Sequence, residues 1–179
     1  MAVNLSLDGY ADHTVGVADD ELHDFFSGLV DETGIQLFGR VTYEMMASHW
    51  PRAHEMPGAT KSDLDFAAKF NAVPKIVFSA TLEKADWKNT TLVRTDASEY
   101  VAQLKKSDGK NLFVGGIKLA GSLMSEGLID EYWLVIHPVV AGEGRSFFKD
   151  QRDPFKLKLV ESKVFKSGAV ALHYERASD

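Results

Sequence analysis

The sequence predicts an α/β protein with a mixed, mostly parallel central sheet flanked by helices on both faces. Short apolar runs typical of buried strands alternate with segments of helical spacing through most of the chain. The C-terminal part is instead rich in neighbouring strand patterns, which adds antiparallel pairing to the sheet. No repeat, linker or low-complexity stretch interrupts residues 1–179, so we expect a single domain.

The first half of the chain supplies alternating strands and helices. Val3–Leu7 alternates apolar and polar residues and stops at a turn, as a strand does. Asp19 or Asp20 is positioned to cap a helix whose apolar residues recur at helical spacing through Leu29. Further predicted elements are a strand at 35–38, a helix at 41–48, a loop at 49–60 interrupted by two prolines and a glycine, a helix over 64–70 capped by Ser62, and a strand at 75–79.

The second half begins with the same alternation and ends in strands. Leu92-Val93 can start a strand. It is followed by a helical pattern at 98–105, a strand at 111–114, a helix through 119–124, a very apolar strand from Tyr132 through Val140, and strands at 157–161 and 169–174.

Composition excludes several classes of function. The net charge of −6 provides no basic field for nucleic acid or for an anionic membrane surface. The chain has no cysteine, which rules out disulfides, thiol catalysis and cysteine-ligated zinc. The six histidines show no ligand spacing, so we expect no metal site. No basic leader and no apolar run of about 18 residues is present, so we expect a cytoplasmic protein without a membrane span.

A phosphate-binding pattern stands where the strand at 35–38 meets the next helix. Gly39 permits close backbone approach, and the first turn of a helix offers unpaired N–H groups and partial positive charge. Arg40 adds a permanently charged donor and Thr42 a hydroxyl. The alternative is an ordinary helix start with a surface arginine.

Gly115-Gly116 forms a second strand–helix junction of this kind. It does not match the GxGxxG fingerprint, and the chain contains no GxxxxGK[ST] loop, so the usual dinucleotide fold and the P-loop are disfavoured. A simple tight turn is the alternative for one glycine pair alone. Two such junctions in one small domain favour a dinucleotide.

Ser79-Ala80-Thr81 closes the strand at 75–79 with hydroxyl groups and no carboxylate. Sites for the unphosphorylated cofactor place an acid at such a strand end to bind the ribose hydroxyls. The absence of an acid at these three positions favours NADPH, while turn capping by Ser79 and Thr81 remains the alternative.

Together these motifs resemble the dihydrofolate reductase superfamily. The resemblance is carried by 39–44 (GRVTYE), 74–79 (PKIVFS), 114–116 (VGG) and 127–131 (GLIDE), in this order and spacing. The segments 6–9 (SLDG) and 136–144 (IHPVVAGEG) are most similar to the riboflavin-biosynthesis reductase branch, the RibD C-terminal domain and its standalone relatives.

The resemblance implies an NADPH site across the strand ends. Cofactor contacts are implied for Gly39, Arg40, Thr42, Ser79, Ala80, Thr81, Gly115, Gly116 and Ile117, with Ser79 facing the 2′-phosphate. It also places Leu7 and Asp8 near the position where nicotinamide meets substrate, with Asp8 as a candidate catalytic group.

The same resemblance places Glu21 where folate reducers carry an acid that assists protonation, and Phe25 at the ring-stacking position. The alternative for Glu21 is a first-turn acid favoured by the helix dipole. Folate reducers hold the glutamate tail of folate with an arginine at the position of Val73, and their first loop differs from residues 10–16. Dihydrofolate is therefore disfavoured as substrate, and a pyrimidine or a pterin without the glutamyl tail fits better.

We accordingly expect an NADPH-dependent reductase of a small heterocycle. The alternatives are a nucleotide-binding or ligand-sensing protein that lacks the chemistry, and a structural dimer module without cofactor. A homodimer is predicted because 132–140 is too apolar for a half-exposed strand. Phe147, Phe148, Phe155 and Phe165 are expected to add exposed apolar surface.

Overall fold

A computed structural model describes residues 1–11, 14, 16, 19–149, 151 and 153–177. The chain divides into two compact units, one formed by Ala18–Gly116 and one by Met1–Val17 with Ile117–Asp179. Each unit contains one four-stranded sheet. Four strand pairs are parallel and two are antiparallel, so the predicted α/β class with mostly parallel pairing is confirmed. The single domain stays a prediction.

The elements follow the predicted order. The strands are β1 (Ala2–Leu5), β2 (Thr33–Gly39), β3 (Lys75–Phe78), β4 (Thr90–Val93), β5 (Asn111–Gly115), β6 (Glu131–Ile136), β7 (Leu157–Val164) and β8 (Val170–Arg176). The helices are α1 (Asp20–Asp31), α2 (Arg40–His49), α3 (Lys61–Ala72), α4 (Ala97–Leu104) and α5 (Ile117–Ser125).

Several predicted boundaries were wrong, including that of the first strand, which ends at Leu5 rather than at Leu7. The segment 49–60 is not wholly a loop, because Trp50–Glu55 forms a short 3-10 helix. Pro51 stands in the first turn of this helix, where its missing N–H costs nothing. Leu92-Val93 ends β4 rather than starting it. The apolar run from Tyr132 leaves the sheet after Ile136, and Pro138 lies in the loop that follows.

The sheet of the unit Ala18–Gly116 is wholly parallel, in the order β4-β3-β2-β5. Its core is an aromatic cluster, in which the ring of Phe38 stacks on that of Trp87 with centroids 6.2 Å apart. Tyr43 hydroxyl accepts a hydrogen bond from the Trp87 backbone N–H at 3.0 Å, which fixes α2 against this cluster. The buried apolar face therefore holds the start of α2 at a defined place beside β2.

Three helices of this unit begin with a side-chain cap. Asp19 accepts from the Leu22 N–H at 2.8 Å, as predicted for α1. Asp96 caps α4 in the same way. The cap of α3 is Thr60, not Ser62, because Thr60 and Asp63 form a reciprocal capping box.

The other unit contains a sheet in the order β1-β6-β8-β7. β6 lies between parallel β1 and antiparallel β8, which explains why its residues are apolar on both faces. Phe147 and Phe165 are buried, contrary to the expectation that they add exposed apolar surface. Phe148 is exposed as expected, and the edge strand β7 carries further exposed apolar side chains at Leu159, Val160 and Val164.

Candidate cofactor-binding site

The predicted phosphate-binding residues lie at one edge of the parallel sheet. Gly39 pairs in register with Phe78, and Phe38 with Gly115, so β2, β3 and β5 end side by side. β4 ends at the same edge, because Val93 is the register partner of Phe78. Ligands of open parallel sheets bind at this carboxyl edge, outside the strand ends.

The start of α2 differs from the starts of α1, α3 and α4. Its N-cap is Gly39, no side chain caps it, and its first turn contains no acidic residue. The first-turn N–H groups therefore have no side-chain acceptor, and the positive end of the helix dipole is not offset by a carboxylate. Arg40 is the first residue of this helix, where its guanidinium adds a full positive charge.

Arg40 is only weakly engaged within the protein. Its Nε lies 4.0 Å from Oε2 of Glu44, one helical turn along, and both side chains are about half exposed. An exposed pair at this distance contributes little to stability. The guanidinium can therefore turn to an anion at the strand ends at small cost.

Gly115 and Gly116 have a packing reason for lacking a side chain. A Cβ on Gly115 would lie 2.7 Å from the Phe38 ring, and a Cβ on Gly116 would lie 2.2 Å from Oγ1 of Thr42. Gly116 also has a φ of +95°, which side-chain-bearing residues rarely adopt. The glycines bring the end of β5 against the first turn of α2, so the two predicted junctions form one continuous surface.

Ser79 shapes the loop that follows β3. Its Oγ accepts hydrogen bonds from the N–H groups of Thr81 at 3.2 Å and Leu82 at 2.9 Å. Ser79 therefore caps this turn, as the alternative to a cofactor contact predicted for its hydroxyl. Ala80 and Thr81 are exposed beside it, and the cofactor contact expected of this segment stays a prediction.

Arg94 is a further cationic residue that sequence reasoning missed. It follows β4 directly, and its guanidinium donates to the backbone carbonyls of Ala80 at 3.1 Å, Leu82 at 2.7 Å and Glu83 at 3.2 Å. A permanent positive charge thus lies against the Ser79–Thr81 turn. Placing the end of β4 correctly at Val93 would have put Arg94 at the carboxyl edge.

Glu21 and Phe25 are both on α1 of this unit. They are four residues apart, so they share one face of the helix, and both are half-buried. The Phe25 ring packs edge-on against Phe26 with centroids 5.4 Å apart. Their predicted proton-transfer and ring-stacking roles stay predictions.

Leu7, Asp8 and Ile117 belong to the other unit. Ile117 is the first residue of α5 and follows Gly116 directly. Asp8 accepts hydrogen bonds from the hydroxyl of Ser6 at 2.6 Å and from the N–H groups of Ala141 and Gly142. These bonds, the one from Ser6 above all, lower the pKa of Asp8 to about 2. The carboxylate is therefore ionised at neutral pH, and its predicted catalytic role stays a prediction.

Val73 is the C-cap of α3, and its carbonyl accepts a hydrogen bond from Nζ of Lys75 at 2.7 Å. The side chain at this position is aliphatic and carries no charge. Part of the first loop, including His13, lies outside the described residues.

Within the described ranges, no group of three or more His, Asp or Glu is arranged to hold a metal ion. In the same part of the chain, no helix has the length and apolar character needed to cross a bilayer.

The RibD C-terminal domain model matches residues 1–171. The chain belongs to the RibD C-terminal domain family. The uncharacterised Bacillus subtilis protein YyaP is 30% identical over 174 residues, which cover 95% of this chain and 90% of that protein.

Solved structures of RibD-like proteins share the fold. A putative riboflavin biosynthesis protein from a Shewanella species superposes with a TM-score of 0.74 at 20% identity, covering 99% of this chain and 97% of that one. A Thermotoga maritima diaminohydroxyphosphoribosylaminopyrimidine deaminase/5-amino-6-(5-phosphoribosylamino)uracil reductase superposes with a TM-score of 0.66 at 18% identity. The alignment covers 98% of this chain but only 55% of the Thermotoga protein.

Proposed function

We propose that this member of the RibD C-terminal domain family is an NADPH-dependent reductase of a small heterocycle, of the pyrimidine or pterin type. The observation that carries the proposal is the start of α2. It is uncapped and free of acids, it begins with Arg40, and it stands at the carboxyl edge of a parallel sheet, whereas α1, α3 and α4 are capped by side chains. In a protein of net charge −6, this is a local arrangement suited to an anionic cofactor.

The donors at this edge fit the phosphates of NADPH. The N–H groups that begin α2, the Arg40 guanidinium and the Thr42 hydroxyl would hold the diphosphate, together with the backbone of Gly115 and Gly116. Ser79–Thr81 and Arg94 would receive the 2′-phosphate, where the guanidinium is already in place. Bound NADPH supplies a hydride, and the protein supplies orientation and electrostatics.

Glu21 is the residue that we propose for proton delivery to the heterocycle, and Phe25 for stacking on its ring. Their shared face on α1 allows one substrate ring to contact both side chains. Leu7 is proposed as a further apolar contact, and Ile117 as a contact for the nicotinamide side. Dihydrofolate is not the proposed substrate, because Val73 offers no cation for its glutamyl carboxylates.

A nucleotide-binding or ligand-sensing protein without catalysis is the second candidate. The engagement of Asp8 by three donors favours it, because Glu21 is then the one carboxylate among the proposed site residues left to deliver a proton. This candidate predicts NADPH binding and no turnover.

Fluorescence titration with NADPH, followed by a substrate screen at saturating NADPH, tests the proposal. The screen contains 7,8-dihydrobiopterin, 5-amino-6-ribosylaminouracil and dihydrofolate. We expect saturable binding, oxidation of NADPH with one of the first two compounds, and little turnover of dihydrofolate. Binding without turnover of any small heterocycle favours the sensing protein, and absence of binding contradicts both candidates.

We also propose that the protein is a homodimer. The support is β7, an edge strand whose Leu159, Val160 and Val164 side chains are exposed. Exposed apolar residues clustered on an unpaired edge strand are typical of an interface. A second copy of the same strand would cover them by isologous contact.

A further inference from the structure

Two arginines at the carboxyl edge of the parallel sheet are held in opposite ways. Arg94 donates to three backbone carbonyls, so its guanidinium is fixed by the loop against which it lies. The Arg40 guanidinium has a carboxylate neighbour instead, because its Nε lies 4.0 Å from Oε2 of Glu44. This distance is too long for a hydrogen bond, so the contact is a loose ion pair and the guanidinium can change partner.

The backbone of α2 is fixed where this pair lies. Tyr43 stands between the two residues in sequence and is buried, and its hydroxyl accepts a hydrogen bond from the Trp87 N–H at 3.0 Å. The side chains of Arg40 and Glu44 are 48% and 51% exposed. Rotation of the two exposed side chains therefore changes the distribution of charge at the helix start while the helix itself stays in place.

Glu44 is the only acidic residue of α2, and it lies outside the first turn. The first turns of α1, α3 and α4 each contain an acid, which offsets the positive end of the helix dipole. A carboxylate one turn further along does not have this effect, because the dipole interaction falls off within the first turn. Glu44 therefore leaves the N–H groups at the start of α2 without an acidic partner and acts on the Arg40 guanidinium alone.

An anion at the start of α2 and the Glu44 carboxylate require the same donor. The guanidinium that pairs with Glu44 lies along the flank of the helix, so it must leave this pair to reach an anion at the strand ends. The free energy of the pair is then subtracted from the free energy of binding, and for an exposed pair this corresponds to about a two- to fivefold loss of affinity. The carbonyls that hold Arg94 are neutral, so no such charge competition acts on it.

We propose that Glu44 is an affinity-determining residue of the cofactor site, a competing carboxylate that holds Arg40 in the absence of NADPH and releases it to the diphosphate of the bound cofactor. This inference rests on the proposed reductase function and deepens it. Arg94 is then the fixed cation of the site and Arg40 the exchangeable one. Glu44 lowers the affinity for NADPH and favours exchange of the used cofactor after each turnover.

Fluorescence titration with NADPH tests the competition in the parent, Glu44→Gln, Arg40→Ala and the double variant. We expect Glu44→Gln to lower the Kd by about two- to fivefold at about 50 mM salt, and by less at about 0.5 M salt, where exposed charges are screened. In the Arg40→Ala background, Glu44→Gln should have little effect, because the guanidinium for which it competes is gone. Glu32→Gln is the matched control and should bind as the parent does, since Glu32 is an exposed glutamate ahead of β2, at the opposite edge of the same sheet.

An unchanged or raised Kd in Glu44→Gln overturns the proposal. A decrease of the same size in the Arg40→Ala background also overturns it, because the effect would then be one of general charge. Inorganic pyrophosphate, titrated against the ¹⁵N-labelled chain and followed at the Arg40 Nε–H, separates this inference from the proposed function. If pyrophosphate binds more tightly to Glu44→Gln than to the parent while NADPH binds to neither, the reductase function fails and the competition stands. If neither anion binds, both fail.

Discussion

Gly116 lies against Thr42 so closely that a Cβ atom on the glycine would stand 2.2 Å from the threonine Oγ1. The φ of Gly116 is +95°, so an L side chain is disfavoured there independently of the space. The end of β5 and the first turn of α2 therefore depend on each other, and the surface proposed for the diphosphate exists only with glycine at this position.

We expect Gly116→Ala to lower the free energy of unfolding by about 2 kcal/mol or more, since it combines backbone strain with a clash. Gly121→Ala is the matched control, because Gly121 lies within α5 and has open space around its Cα. The control should gain about 0.5–1 kcal/mol from helix propensity. Urea unfolding of both variants measures the difference. Equal stability of the two variants would contradict the packing described for Gly116.

Lys75 provides a prediction for the pH dependence of stability. It is 1% exposed, its Nζ donates to the carbonyls of Asn71 and Val73, and it lies 4.5 Å from the centroid of the Trp87 ring. Burial lowers the pKa of Lys75 to about 8 from its usual 10.5. Between these pH values the unfolded chain binds more protons than the folded chain, so the free energy of unfolding rises with pH.

We expect this rise to amount to about 1.5 kcal/mol between pH 8 and pH 9.5, and to be absent in Lys75→Met. Lys61→Met, which removes an exposed lysine, should keep the rise. Urea unfolding at several pH values across this window compares the three proteins. A parent and a Lys75→Met variant with the same slope would show that Lys75 does not titrate as its burial implies.

Most of the fold was predictable because its signals are local. The α1 cap at Asp19 and the strand–helix junction at Gly39 were identified from neighbouring residues alone. Thr60 was missed as the α3 cap because Ser62 is an equally good cap by type, and only the reciprocal bond with Asp63 distinguishes them. The burial of Phe147 accompanies a backbone hydrogen bond to Gly9, a partner distant in sequence that local patterns do not indicate.

The candidate site was predictable in part for the same reason. Arg40 and Gly115 stand in recognisable junctions, whereas Arg94 was missed because its importance comes from the register of β4 beside β3. The engagement of Asp8 by Ala141 and Gly142 joins residues more than 130 positions apart, and no sequence pattern indicated it.

Cofactor preference provides a further prediction. We expect tighter binding of NADPH than of NADH in calorimetry, because Ser79–Thr81 carries no acid and Arg94 places a positive charge there. Arg94→Met should reduce the ratio of the two affinities by roughly tenfold, since a charge-assisted bond to the 2′-phosphate is lost. Both cofactors would contact the same loop, so the ratio separates the phosphate contact from any change in loop structure. Lys61→Met is the control for the change in net charge. Equal affinities of the parent protein for NADPH and NADH would contradict the predicted preference.

The homodimer prediction is tested by sedimentation equilibrium at micromolar concentration. We expect twice the chain mass of 19.8 kDa for the parent. A double substitution, Leu159→Lys with Val164→Lys, should give the single-chain mass, because it places charges on the exposed edge strand. Leu64→Lys, on α3, should leave the dimer intact. A parent that sediments as a single chain contradicts the prediction.

The most direct test of the proposed cofactor site is the affinity of Arg40→Ala for NADPH, measured by fluorescence titration at moderate salt beside the parent and Lys61→Met. Arg40 begins the one helix of α1–α4 whose start no side chain caps, and its ion pair with Glu44 is weak. Loss of a charged phosphate contact should weaken NADPH binding by about 10- to 100-fold. Lys61→Met should bind as the parent does. An Arg40→Ala variant that binds NADPH as tightly as the parent would contradict the assignment of the site.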